Sequence, residues 1–73
     1  MKYKVQLETL RDVADFVALV NSVPYEVNLT DREGKYKISG KSMIGAIATA
    51  DWNDVWAESD SEELYNLIKQ WVV

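Results

Sequence analysis

The hydrophobic period of this chain changes repeatedly along its length, and the order of those changes restricts the fold more than any other feature. Residues 2–8 alternate strictly, with Tyr3, Val5 and Leu7 on one side and Lys2, Lys4, Gln6 and Glu8 on the other, which is the pattern of a strand with one face in water. From Leu10 the period lengthens. Val13, Val17 and Val20 follow at three- and four-residue steps, and Phe16 and Leu19 widen the stripe, so a helix is predicted over 10–21. Thr9 is placed to cap it, with Asp12 as the third residue of a variant capping box, and Asn21-Ser22 and then Pro24 end it.

Alternation returns in Tyr25, Val27 and Leu29 and again, past Asp31-Arg32-Glu33-Gly34, in Tyr36 and Ile38. That is a hairpin, whose loop takes its positive φ at Gly34. Ser42 then caps a short apolar helix over 43–50, and Val55-Trp56-Ala57-Glu58 reads as a fourth strand. A last helix carries Leu64, Leu67, Ile68, Trp71 and Val72 at i, i+3, i+4, i+7 and i+8. Ser59, Asp60 or Ser61 is expected to cap it, and Glu62 and Glu63 to complement its positive end. The order βαββαβα, with one apolar face per element, predicts an α+β, open-faced two-layer sandwich as a single domain over 1–73. Its four-stranded antiparallel sheet has three helices on one face, and Lys2, Lys4, Gln6, Glu26 and Asn28 leave the other face wet. Trp52 and Trp56 are expected to pack against the sheet.

Composition narrows the chemistry. The 73 residues contain neither Cys nor His, which excludes a disulfide framework, a zinc site of the usual ligand kinds and Ser-His or Cys-His nucleophilic catalysis. Twelve acids against eight bases leave a net charge of −4, which argues against nucleic acid as a partner. No run is long enough to insert in a membrane, and Met1-Lys2-Tyr3-Lys4 leads into alternation, not into a signal peptide, so a cytoplasmic protein is expected. No metal or cofactor is expected, and no enzyme activity of the chain on its own. The pairs Asp51/Asp54 and Glu62/Glu63 stand beside turns or helix starts, where acids belong for capping reasons.

One segment reads as more than fold. In Gly40-Lys41-Ser42-Met43-Ile44-Gly45-Ala46-Ile47 a serine at a helix start is followed at once by apolar residues, and few polar residues interrupt what comes after. A helix with no polar face is either buried nearly all round or offered to a partner. Met43, Ile44 and Ile47 form the expected protein-binding patch, with Met43 and Ile47 the more exposed.

Lys41-Ser42-Met43-Ile44-Gly45, preceded by Glu26-Val27-Asn28-Leu29, resembles the HPr family, the small phosphocarriers of the bacterial phosphoenolpyruvate-dependent sugar phosphotransferase system. The resemblance covers nearly the whole chain in length and element order. It puts Thr9 at the position of the family's phosphorylated histidine and Arg11 at the family's arginine, with Asp12 where the family has proline. A threonine hydroxyl lacks the near-neutral titration and the high-energy phosphoramidate that carriage requires, so histidine phosphotransfer is not expected. Ser42 matches the family's regulatory serine, and a phosphate there would meet the free N–H groups of a helix start. The resemblance therefore implies a regulatory or protein-binding module acting through Ser42 and the adjacent helix. The alternatives are a self-associating structural protein that uses the 43–50 helix, and a component of the phosphotransferase system with residual function.

Overall fold

A computed structural model describes residues 1–73. The chain order is β1 (Lys2–Val5), α1 (Leu10–Asn21), β2 (Asn28–Thr30), β3 (Lys37–Ser39), α2 (Met43–Ala48), β4 (Val55–Glu58) and α3 (Leu64–Ile68), with 3-10 turns over Thr49–Asp51 and Lys69–Trp71. The four strands form one antiparallel sheet in the order β1-β4-β2-β3. The α+β sandwich expected from the hydrophobic periods is the observed architecture.

Helix α1 begins where its cap requires. The Thr9 hydroxyl accepts from the Asp12 N–H at 3.0 Å, and the Asp12 carboxylate accepts from the Thr9 N–H at 3.2 Å and from the Glu8 N–H at 3.0 Å. Three amides of the helix start are thereby satisfied by two side chains, which is the stabilising logic of a capping box. Its inner face buries Val13, Phe16, Val17 and Val20. The hairpin turns at Gly34, whose φ of 73° suits glycine.

The register sets which side chains share a face. Tyr3, Ala57, Leu29 and Ile38 stand opposite one another across β1, β4, β2 and β3, with Val5 beside Val55. This side receives the helices, and its core joins Val5, Val27, Leu29 and Ala57 to α1, to Ala46 of α2, to Leu64 and Ile68 of α3, and to Trp71. The intervening residues form two rows on the opposite face, Lys2-Glu58-Asn28-Ser39 and Lys4-Trp56-Thr30-Lys37.

Three expectations need correction. The last helix is α-helical only from Leu64 to Ile68 and then tightens into the 3-10 turn, because Val72 pairs with Val5 on the outer edge of β1. Gln6 N–H donates to the Trp71 carbonyl at 2.9 Å and Val73 N–H to the Lys4 carbonyl at 3.0 Å, so the chain end closes a sheet edge that a longer helix would have left open. Nor is α3 capped by a serine. Its N-cap is Glu63 without a side-chain bond, while the Ser59 and Ser61 hydroxyls accept from the Ser61 and Glu63 amides in the turn before it. Trp56 lies on the open face, because Ala57 rather than Trp56 shares the register of Leu29.

Candidate functional site

The start of α2 is built by local chemistry. Ser42 is exposed, and its hydroxyl accepts from the Gly45 N–H at 3.1 Å, the cap expected of it. A side chain is poorly accommodated at Gly45: a Cβ would collide with Ile38 Cγ2 of β3, so the missing side chain lets the helix rest directly on the sheet's outermost strand. Gly40, just before the cap, is held against β2, with its N–H donating to the Val27 carbonyl at 2.7 Å.

With that approach fixed, the helix turns Ala46 into the core and Met43 partly onto it, while Ile44 is 84% and Ile47 44% exposed. The expectation that Met43 would be among the exposed residues is corrected: Met43, Ala46 and the buried Thr49 lie three apart on the inner face, so Ile44 and Ile47 fall together on the outer one. Ile44 and Ile47 thus form one exposed surface, with small Ala48 beside them, and the exposed Ser42 stands at the N-terminal end of the same helix.

Thr9 and Arg11 are elsewhere. The Asn21 amide at the end of α1 donates to the Lys41 carbonyl at 3.0 Å, and Lys41 Nζ donates to the Val23 carbonyl at 3.0 Å. The start of α2 is therefore tied to the end of α1, twelve residues and about 18 Å of helix from Thr9. Thr9 is committed to its capping box, and Arg11 reaches only Asp15, 3.4 Å away on the exposed face of the same helix. Position 9 has no basic group to activate its hydroxyl, and no pair of functional groups joins it to Ser42.

Two surface depressions, of about 450 and about 400 Å³, are bordered by the 3-10 turn that follows α2. Leu7, Val13, Trp52 and Val55 wall the first, with the Lys4–Asp54 ion pair of 3.2 Å among its lining. Asp31, Glu33, Asp51 and the stacked rings of Tyr36 and Trp52 line the second. Neither includes Thr9, Arg11, Ser42, Met43, Ile44 or Ile47. No group of three or more acids is gathered closely enough to hold a metal ion, and no helix is long and apolar enough to cross a membrane.

The open sheet face carries the feature that sequence reasoning missed. Lys2 Nζ reaches over β4 to the Arg32 carbonyl at 3.4 Å and lies 5.7 Å from the Trp56 ring centre. Lys37 Nζ crosses β2 to Glu58 at 3.0 Å, a span of two strand spacings or about 9.6 Å. Two lysine stems thus roof the face, and Thr30, on its central row, is fully buried. The hydrogen bond from Lys37, opposed by partial desolvation and reinforced by the charges of Lys37 and Lys2, holds the Glu58 carboxyl below its ordinary value of 4.5.

A carboxyl lowered in the folded state stabilises the fold fully above its unfolded pKa and loses that contribution as pH falls through the folded one. Replacing Glu58 by Gln should therefore destabilise the protein at neutral pH and cost progressively less below about pH 4.5. Parallel urea titrations of both proteins across that range check this, and a difference independent of pH would contradict it.

No family model, no curated protein and no solved structure matches the chain.

Proposed function

We propose that the chain is a cytoplasmic, HPr-like protein-binding module, related to the bacterial sugar phosphotransferase system but without phosphocarrier activity, that docks a partner on α2 under the control of Ser42. The observation carrying this reading is the exposure of Ile44 and Ile47 on the helix whose N-terminus the exposed Ser42 caps. Two branched apolar side chains held outward on a helix anchored by Gly45 are a preorganised contact, with no loop to order on binding. A phosphate on Ser42 would add nearly two negative charges at the start of that helix, enough to change which partner docks. The partner is a protein with a complementary apolar surface.

The commitment of Thr9 to its cap supports the absence of carriage. Incubation with phosphoenolpyruvate and the first enzyme of the phosphotransferase system should leave the intact mass unchanged, and a phosphate gained there would overturn that part of the reading. The self-association alternative predicts a different result. Light scattering should report a monomer for the wild type and for Ile44→Asp alike, whereas a dimer broken by Ile44→Asp would make the partner of α2 a second copy. Because Ile44 is exposed, the substitution should change stability by no more than about 0.5 kcal/mol.

A further inference from the structure

The face of the sheet turned away from the helices is where this acidic chain concentrates its positive charge. The strand residues of this face include three of the eight bases, Lys2, Lys4 and Lys37, but only one of the twelve acids, Glu58; Arg32 and Asp54 pair at its rim, with Asp31, Glu33 and Asp51 beyond them. Three of these four cations share two carboxylates: Lys4 and Arg32 both pair with Asp54, at 3.2 and 3.3 Å, and Lys37 pairs with Glu58. Lys2 has no carboxylate, only a long bond to a carbonyl and the Trp56 ring. At the centre of this ring of charge is Trp56, whose indole N–H is buried and has no acceptor. A buried donor without a partner is uncommon enough to require an explanation.

We propose that this face binds an acidic segment of a partner protein, whose carboxylates draw Lys2 and Lys37 away from their positions over the sheet and pair with them, with Arg32, and with the indole N–H of Trp56. The cations are within reach, since the side chains of Arg32 and Lys37 are 72% and 55% exposed. Each has only surface pairs to give up, which cost little to exchange. The negative charge elsewhere on the molecule orients an approaching anion toward this face. It also limits the anion's extent. Asp31, Glu33 and Asp51 border the face beyond Arg32, so a long nucleic-acid backbone, which needs a continuous basic track, would be repelled where a short acidic segment would end. This surface is distinct from the outer face of α2 and does not depend on the reading given to Ser42.

Titration of the ¹⁵N-labelled protein with a short poly-glutamate peptide at low salt tests the proposal. The Trp56 indole resonance, assigned from a Trp56→Phe variant, and the amides of β2 and β4 should shift saturably while those of α2 stay in place. Added salt should weaken the binding, and a double replacement of Lys2 and Lys37 by Ser should weaken it about three- to tenfold. Arg32→Ser, which leaves both lysine straps intact, should also weaken it and guards against a loss of folding in the double variant. An unmoved Trp56 indole at low salt, or tighter binding of an oligouridylate than of the peptide, would overturn the proposal.

Discussion

Phe16→Ala should cost about 3–5 kcal/mol, a large part of the stability of so short a chain. Phe16 is fully buried on α1, its ring meets Trp71 edge-on at 5.3 Å and 70°, and it borders the chain entering α2, where a Cβ on Gly40 would lie 3.4 Å from its ring. Emptying such a position removes the transfer energy of the ring and leaves a cavity, together about 3–5 kcal/mol. A chain of this length has roughly 4–11 kcal/mol in all. The same ring touches helix, chain end and the approach to α2, so no single element can collapse into the space. Urea unfolding followed by far-ultraviolet circular dichroism should show a transition displaced to lower denaturant. An unfolding free energy within about 1 kcal/mol of the wild type would contradict this description of the core.

The second large effect is at Gly45. A Cβ there meets Ile38 Cγ2, and Ile38 cannot swing aside freely because it is branched at Cβ and paired within the sheet; the Ser42 hydroxyl is also close, at 3.2 Å. Gly45→Ala sets a helix-propensity gain of about 1 kcal/mol against an overpacking cost of about 1–3 kcal/mol, for a modest net loss. Gly45→Val has no such gain and adds two methyl groups to the collision, so it should cost about 3 kcal/mol and lift α2 from β3. Amide shifts spread over β3 and α2, together with faster hydrogen exchange of the amide at position 45, would report the displacement. A valine variant as stable as the wild type would mean that α2 does not rest on Ile38, and with it would go the reason Ile44 and Ile47 face outward.

Those outward positions mark the boundary of what periodicity can reveal. Where one face is apolar and the other polar the phase of an element is legible, and α1 begins and ends where Thr9, Asp12 and Asn21 indicate. In α2 every residue is apolar or small, so the pattern contains no phase, and only the contact of Gly45 with Ile38 decides that Met43 turns in while Ile44 turns out. The strand β4 has the same ambiguity. Val55, Trp56 and Ala57 are all apolar, and the larger side chain is on the open face because Ala57 is opposite both Tyr3 and Leu29, where a tryptophan would not fit between the sheet and the helices.

Long-range geometry was hidden for a different reason. Thr9 and Ser42 each cap a helix as their local sequences indicate, yet their separation depends on α1 and α2 running with the start of one tied to the end of the other through Asn21 and Lys41. Neither residue signals that partnership from its immediate neighbours. The roof over Trp56 is hidden likewise, since Lys2, Glu58 and the hairpin that carries Arg32 and Lys37 are three distant segments that only the strand order brings together.

Ser42 as the control point of α2 is tested most directly by incubating the wild type and Ser42→Ala with ATP and the serine kinase of the phosphotransferase system and reading intact masses. The predicted result is one phosphate on the wild type and none on Ser42→Ala, with the circular dichroism of the modified protein unchanged. A wild type that takes up no phosphate, or an alanine variant that takes up as much, would contradict it.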